Sequence, residues 1–110
     1  MLECSVIILN WNGEAMLRRY LPSVIQYTQL EGVEIVVADN GSTDASLEFL
    51  HSQPVRIIEL GENLGFAEGY NRAIEQVESK YVVLLNSDVE VTSNWLDTLL
   101  NYARAHEDVV

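Results

Sequence analysis

The sequence predicts an α/β fold: a mainly parallel sheet of four strands in the order 3-2-1-4, sandwiched between helices as a three-layer unit. Three observations predict it. Apolar runs of strand length alternate with segments whose apolar residues recur at helical spacing, the pattern of right-handed βαβ units. Three of those runs end in polar clusters: Asn10 and Asn12, Asp39 and Asn40, Asn86 and Asp88. The clusters meet only if the first strand lies between the second and the fourth, which sets a switch point, and hence a ligand crevice, between strands one and four.

Cys4 to Leu9 is the first buried strand, and Asn10-Trp11-Asn12-Gly13 is the polar turn at its carboxyl end. Leu17, Tyr20, Leu21 and Val24 then recur at helical spacing. Pro22 falls inside that helix, where it lacks an N–H and clashes with the preceding turn, so a kink or a new first turn is expected. Val33 to Ala38 is the second strand. Asp39 to Asp44 are almost all turn formers, with Ser42 or Thr43 placed to cap the helix marked by Leu47, Phe49 and Leu50. A shorter third strand runs from Val55 to Leu60. The segment Gly61 to Asn71 begins as a loop and passes into a helix through Ala67, Tyr70, Ile74 and Val77, with Gly65 and Gly69 as a turn and a close packing site. The fourth strand, Tyr81 to Leu85, delivers Asn86-Ser87-Asp88 to the carboxyl edge of the sheet, where open α/β sheets bind ligands. Leu96, Leu99, Leu100 and Ala103 mark a last helix, with Ser93 or Asn94 as its cap. At Val109-Val110 a further strand is expected to begin.

With 110 residues the chain is a single domain, expected to be a piece of a longer protein cut after the fourth strand and its helix. Seventeen Asp and Glu against six scattered Lys and Arg give a net charge of -11, which excludes a basic face for nucleic acid. An anionic ligand needs a metal ion or oriented N–H groups to bind there, whereas a divalent cation is attracted. Cys4 stands alone in an apolar run, so neither a disulfide framework nor a thiolate zinc cluster is expected, which suits a reducing cytoplasm. No signal peptide is visible at the start, and no apolar run approaches the ~20 residues that cross a bilayer.

Asp39 at a strand end can accept a hydrogen bond from a base N–H or a ribose hydroxyl. Neither a G-x-G-x-x-G fingerprint nor a P-loop accompanies it. A diphosphate in so acidic a chain therefore needs a metal bridge, and Asp88 is the best-placed carboxylate to hold one. Mg2+ or Mn2+ suits such a site, since either takes one or two carboxylates and completes its shell with phosphate oxygens and water.

Four stretches carry a resemblance: Ser5 to Asn12, Val33 to Asp44, Asn63 to Ile74 and Leu84 to Val91. In this order they are similar to the amino-terminal half of a family-two glycosyltransferase of the GT-A fold, which is Rossmann-like. The resemblance implies binding of a nucleotide-diphosphate sugar with a divalent metal, and inverting transfer of the sugar in polysaccharide biosynthesis at the cell envelope. By position, Asn10, Trp11 and Asn12 would line the base pocket and Asp39, with Asn40 beside it, would hydrogen-bond the base. Asn63, Gly65 and Asn71 would lie beside the nucleotide. Asn86-Ser87-Asp88 matches the family's D-x-D, with Asp88 as metal ligand. Two departures stand out: Asn86 replaces the first D-x-D carboxylate, and Tyr70 stands where many members carry an Arg or Lys that contacts phosphate. No catalytic residue is expected within the chain, because the inverting base belongs to the family's second half. Asn-Trp-Asn and Asn-x-Asp resemble the rhamnosyltransferase-like branch, which implies a dTDP- or UDP-sugar. The full protein is expected to take a saccharide or lipid-linked acceptor, and to be cytoplasmic or peripheral at the cytoplasmic membrane face.

Other readings stay open at this stage. A receiver-like signalling module shares the class, size and acidity, but it needs paired acids after the first strand and a phosphoacceptor Asp after the third, where this chain has Asn-Trp-Asn and Gly61-Glu62. A nucleotidyltransferase wants a glycine-rich basic loop where Trp11-Asn12-Gly13-Glu14 stands. A non-catalytic binding fragment is the third, and its unpaired sheet edge invites a homodimer. His51 and His106 are read as surface residues, Trp95 as packing, Glu90 as an exposed strand-end acid or else a second metal-site carboxylate, and Asp44 as a first-turn helix residue or else a ligand contact.

Overall fold

The computed structural model describes residues 1–106, so the expectation at Val109-Val110 lies outside the described residues. Strands and helices alternate: β1 (Leu2–Asn10), α1 (Glu14–Tyr27), β2 (Val33–Asp39), α2 (Ser46–His51), β3 (Arg56–Glu59), α3 (Phe66–Glu75), β4 (Ser79–Leu85) and α4 (Trp95–Ala105). The sheet has the order β3-β2-β1-β4 with every pair parallel, as the polar strand ends required. The register sets Asn10 opposite Asp39 and Ile8 opposite Leu85.

Side chains alternate across a strand, so β1 divides its residues between two layers. Cys4, Val6 and Ile8 face the layer of α1, α2 and α4, where they meet Leu17, Leu21, Val24, Leu50, Leu96 and Leu100. Ile7 faces α3, whose Tyr70 and Ala73 close the opposite core with Val36, Ala38 and Ile58. The α3 layer is the thinner one, and Leu84 of the edge strand is left 49% exposed. Burial pushes the Cys4 thiol up to about 11, consistent with a small core residue. Trp95 packs against two of the core clusters, and its Nε1 donates to Thr28 Oγ1 (3.0 Å). The Arg104 guanidinium pairs with the Glu3 carboxylate to tie α4 to the start of β1. Among the described residues no helix is long and apolar enough to cross a membrane.

Local expectations are corrected at three places. The helix runs unbroken from Glu14 to Tyr27, so no new first turn starts at Pro22. Pro22 and Arg18, whose carbonyl loses its helical partner, are both exposed, and water can satisfy that group. Neither Ser42 nor Thr43 caps α2. That helix begins at Ser46, whose N–H donates to Asp44 Oδ1 (2.9 Å). Asn94 does occupy the N-cap position of α4, but in the left-handed region (φ 65°) and without a side-chain bond into the helix.

Candidate functional site

The carboxyl ends of β1 and β2 are joined by one hydrogen-bond network built on Asp39, which is only 2% exposed. Asp39 Oδ1 accepts from Asn10 Nδ2 (2.9 Å) and from the Ser42 hydroxyl (2.7 Å), and Oδ2 accepts from the Ser42 N–H (2.9 Å). The Ser42 hydroxyl also accepts from Asn10 Nδ2 (3.2 Å) and from the Asn12 N–H (2.8 Å). With one donor and two acceptor positions used, its capacity is filled. Asn12 lies in the left-handed region (φ 49°), which asparagine tolerates, and its Oδ1 accepts from the N–H groups of Thr43 (2.7 Å) and Asp44 (3.2 Å). The two loops are thus stitched across about thirty residues of sequence.

Two acceptor positions in this network remain unused. Asp39 Oδ2 has a second lone pair. Asn10 Oδ1 is buried without a partner, and its orientation is fixed because Nδ2 has two acceptors. A Cβ at Gly13 would stand 2.6 Å from that oxygen, so only glycine leaves it room.

Asn40 extends the network to the third loop. Its Oδ1 accepts from the Leu64 N–H (3.0 Å), and its Nδ2 donates to Asn63 Oδ1 (3.2 Å) and the Gly65 carbonyl (3.1 Å). Gly41 makes the approach possible: φ is +80°, and a Cβ would lie 2.7 Å from Glu62 Cα. Gly69 brings α3 onto β1, since a Cβ there would stand 2.9 Å from Leu9 Cδ1.

Asp44 sits at the start of two helices. Its Oδ2 accepts from the Glu14 N–H (3.2 Å) at the head of α1, and its Oδ1 from Ser46 at the head of α2. Burial raises its pKa, but the hydrogen bonds from Ser46 and Glu14 more than offset this and hold the carboxyl below its ordinary value. A carboxylate already seated at the head of α1 disfavours the phosphate position that dinucleotide folds commonly use.

On the other side of β1, a cleft of about 370 Å³ opens at the β1/β4 switch point, lined by Asn86, Ser87 and Asp88 together with Leu9, Met16, Phe66 and Tyr70. Asn86 and Asp88 are exposed and Ser87 is half-buried. Among the described residues no three acidic, histidine or cysteine side chains gather around one point, so a cation at Asp88 would need oxygens from its ligand and from water. The donors that the Asn86-Ser87-Asp88 turn offers are hard oxygens, which fits Mg2+ or Mn2+. A larger hollow of about 630 Å³ lies near the amino ends of β2 and β3, with a mainly apolar lining that includes Ile25, Leu30 and Pro54. It is at the edge of the sheet away from the strand-end polar groups.

The structure therefore gathers Asn10, Asn12, Asp39, Asn40, Asn63 and Gly65 in one network, and Asn86, Ser87 and Asp88 at one cleft. Trp11, 54% exposed, sits between Asn10 and Asn12 on the turn after β1, free to stack. Asn71 is exposed on α3 and is not among the residues lining the cleft. Three residues were missed. Ser42, whose turn-forming neighbours suggest a helix cap, joins the network instead. Asp44, expected in one helix's first turn, lies just ahead of α2 and meets the heads of two helices. Tyr70, expected on the helical stripe of α3 and as a departure at a phosphate contact, is buried, and its hydroxyl bridges strands β1 and β4.

Comparison with known proteins gives a consistent result. The family described as Glycosyl transferase family 2 matches residues 5–110. The Bacillus subtilis (strain 168) protein named uncharacterized glycosyltransferase YfnE is 32% identical over 111 aligned residues, spanning 97% of this chain and 28% of YfnE. The structure of S. aureus TarS 1-349 in complex with UDP-GlcNAc superposes with a TM-score of 0.84 at 24% identity, over 96% of this chain and 32% of that 1-349 chain. The mannosyltransferase PcManGT from Pyrobaculum calidifontis, in complex with GDP-Man and Mn2+, has a TM-score of 0.75 at 23% identity, over 93% of this chain and 31% of that one. At these identities the two structures speak for the fold alone. The chain spans about a third or less of the length of each.

Proposed function

The chain belongs to glycosyl transferase family 2, and from that premise we propose that its carboxyl edge binds a nucleotide-diphosphate sugar with Mg2+ or Mn2+ for inverting transfer of the sugar. The observation that carries this is the arrangement at the switch point: hard oxygen donors on Asn86-Ser87-Asp88 open onto the cleft on one side of β1, and the Asn10–Asp39 network lies on the other. Two strand-end sites flanking one strand suit a ligand with two chemically different ends. Titration of UDP-GlcNAc into the chain with and without Mn2+ tests it, and binding that ignores the cation would overturn it.

In this reading the base lies against the Asn10–Asp39 side. The unpartnered Asn10 Oδ1 and the spare lone pair of Asp39 Oδ2 are acceptors suited to a base N–H, and Trp11 supplies a stacking face. Asn12, Asn40, Asn63 and Gly65 fix the loops that shape this pocket. With Asp44 at the head of α1, the diphosphate is directed to the Asp88 side. Asp88 holds the cation, and Asn86 and Ser87 add neutral oxygens; having one carboxylate fewer, the site binds metal firmly only together with the diphosphate. The bound ion supplies electrostatic stabilisation of the charge that develops on the leaving nucleoside diphosphate.

A pyrimidine base, in a UDP- or dTDP-sugar as in the rhamnosyltransferase-like branch, is the proposed donor class. Its support is the Asn-Trp-Asn and Asn-x-Asp pattern. A panel of nucleotide sugars titrated with Mn2+ tests this, and tightest binding of a purine donor would overturn it. The base that inversion requires and the saccharide or lipid-linked acceptor site are assigned to residues outside this chain, in a protein working at the cytoplasmic face of the membrane. Among the described residues β4 is the outer strand of the sheet, and its half-exposed Leu84 marks the face proposed for a homodimer. Sedimentation of Leu84→Lys alongside the parent chain tests that contact, and an unchanged dimer fraction would refute it.

A further inference from the structure

We propose that the Tyr70 hydroxyl is the positioning group of the Asn86-Ser87-Asp88 turn: it holds the Leu85–Asn86 peptide so that Asp88 faces the cleft. The inference rests on the reading of that cleft as a metal-diphosphate site.

Tyr70 lies on α3 and is 3% exposed. Its hydroxyl donates to the Leu85 carbonyl (3.0 Å) and accepts from the Leu9 N–H (3.4 Å). Leu85 is the last residue of β4, and its pairing with Ile8 is the last rung between β1 and β4. The Leu85 carbonyl belongs to the peptide that leads into Asn86. Where that carbonyl points decides how the turn leaves the sheet. At the other end of the turn, the Val91 N–H donates to Ser23 Oγ (3.2 Å), and Val91 is buried in the core. The stretch carrying Asp88 is thus bracketed by two hydrogen bonds from other elements, one to α3 and one to α1.

Only tyrosine has the reach and a hydroxyl that both donates and accepts in this setting. Phenylalanine would fill the same space and leave the Leu85 carbonyl short of its partner. Burial raises the pKa of Tyr70, so the hydroxyl keeps the proton it donates. The reach depends on Gly69, whose missing side chain lets α3 lie against Leu9. The ring also meets Phe66 edge-on at 4.9 Å, and both rings line the cleft. The residue standing where the family often has a cation therefore acts on the phosphate site indirectly, through the backbone that carries the metal ligand.

The test compares the parent chain with Tyr70→Phe in two NMR titrations, one with UDP plus Mg2+ and one with uridine alone. The expected result is an affinity for UDP with Mg2+ that falls about tenfold, the usual effect of losing a group that orients a metal ligand, with uridine binding unchanged. Val82→Ala, which trims the same core cluster while leaving the hydroxyl in place, should lower the melting temperature without changing either titration. Equal losses for UDP and uridine would mean a general structural role and overturn the assignment, as would a Tyr70→Phe chain that no longer folds. Undiminished UDP binding by the variant would overturn it while leaving the proposed function standing. A parent chain that binds neither probe would overturn both.

Discussion

Replacing Asp39 separates what the network contributes to the fold from what it offers a ligand. Asp39→Ala removes the acceptor of three hydrogen bonds at 2.7–2.9 Å in a place that water barely reaches. The Ser42 hydroxyl can turn to another acceptor, and Asn10 Nδ2 keeps its bond to Ser42, so two bonds are effectively lost. At about 1.5–2 kcal/mol for a bond to a charged acceptor, the cost is about 3–4 kcal/mol. That is a large part of the ~5–15 kcal/mol available to a domain of this size, and it should lower the melting temperature by about 13–17 °C. Asp39→Asn keeps one oxygen for Asn10 and Ser42 but turns an amide N–H toward the Ser42 N–H, donor against donor. It should cost about 2 kcal/mol. Urea denaturation followed by circular dichroism measures both. A cost below about 1 kcal/mol for Asp39→Ala, or an Asn variant as unstable as the Ala variant, would refute the idea that this carboxylate organises the two loops.

Other consequences can be checked on the same protein. Asn40→Ala releases the Asn63–Gly65 loop by removing three neutral bonds and should cost about 2–3 kcal/mol, with faster amide exchange at Leu64 as the local readout. Gly69→Ala sets a methyl against Leu9 Cδ1 and should destabilise by about 1–3 kcal/mol in a thermal melt; a neutral result would mean that α3 can retreat from β1. Asp44 has a folded-state pKa below its unfolded value, so its stabilisation is complete above the unfolded pKa and is lost as pH falls through the lower, folded one. Asp44→Ala should therefore destabilise the chain at neutral pH, by less than about 1 kcal/mol because the carboxylate is exposed and solvent screens it, and the gap between it and the parent should close in acid; a gap independent of pH would count against the carboxylate. Cys4, buried with its thiol pushed up to about 11, should resist iodoacetamide at neutral pH until the chain is unfolded.

The frame of this fold is legible in the sequence because it follows from local periodicity. Four apolar runs, the helical stripes between them and the polar residues at three strand ends were enough for the strand order, and the order in turn placed Asn10 beside Asp39. What escaped depends on partners distant in sequence. Ser42 has the composition of a helix cap, and only the approach of Asn10 and Asn12, about thirty residues away, gives its hydroxyl different partners. Tyr70 carries no local sign that its hydroxyl ends between two strands. Pro22 is expected to kink its helix or to start a new first turn; no new turn starts there, and because Pro22 and Arg18, whose carbonyl it deprives of a partner, are both exposed residues, the helix continues. Asn71, placed beside the nucleotide by resemblance alone, is exposed on α3 and is not among the residues lining the cleft.

Isothermal titration of UDP-GlcNAc into the parent chain and into Asp88→Ala, each with and without Mn2+, tests the central assignment most directly. The parent should bind more tightly with the cation by about tenfold or more, equivalent to about 1.4 kcal/mol. The variant should keep its fold and lose that difference. An Asp88→Ala chain that binds the donor with the same Mn2+ dependence as the parent would contradict the account.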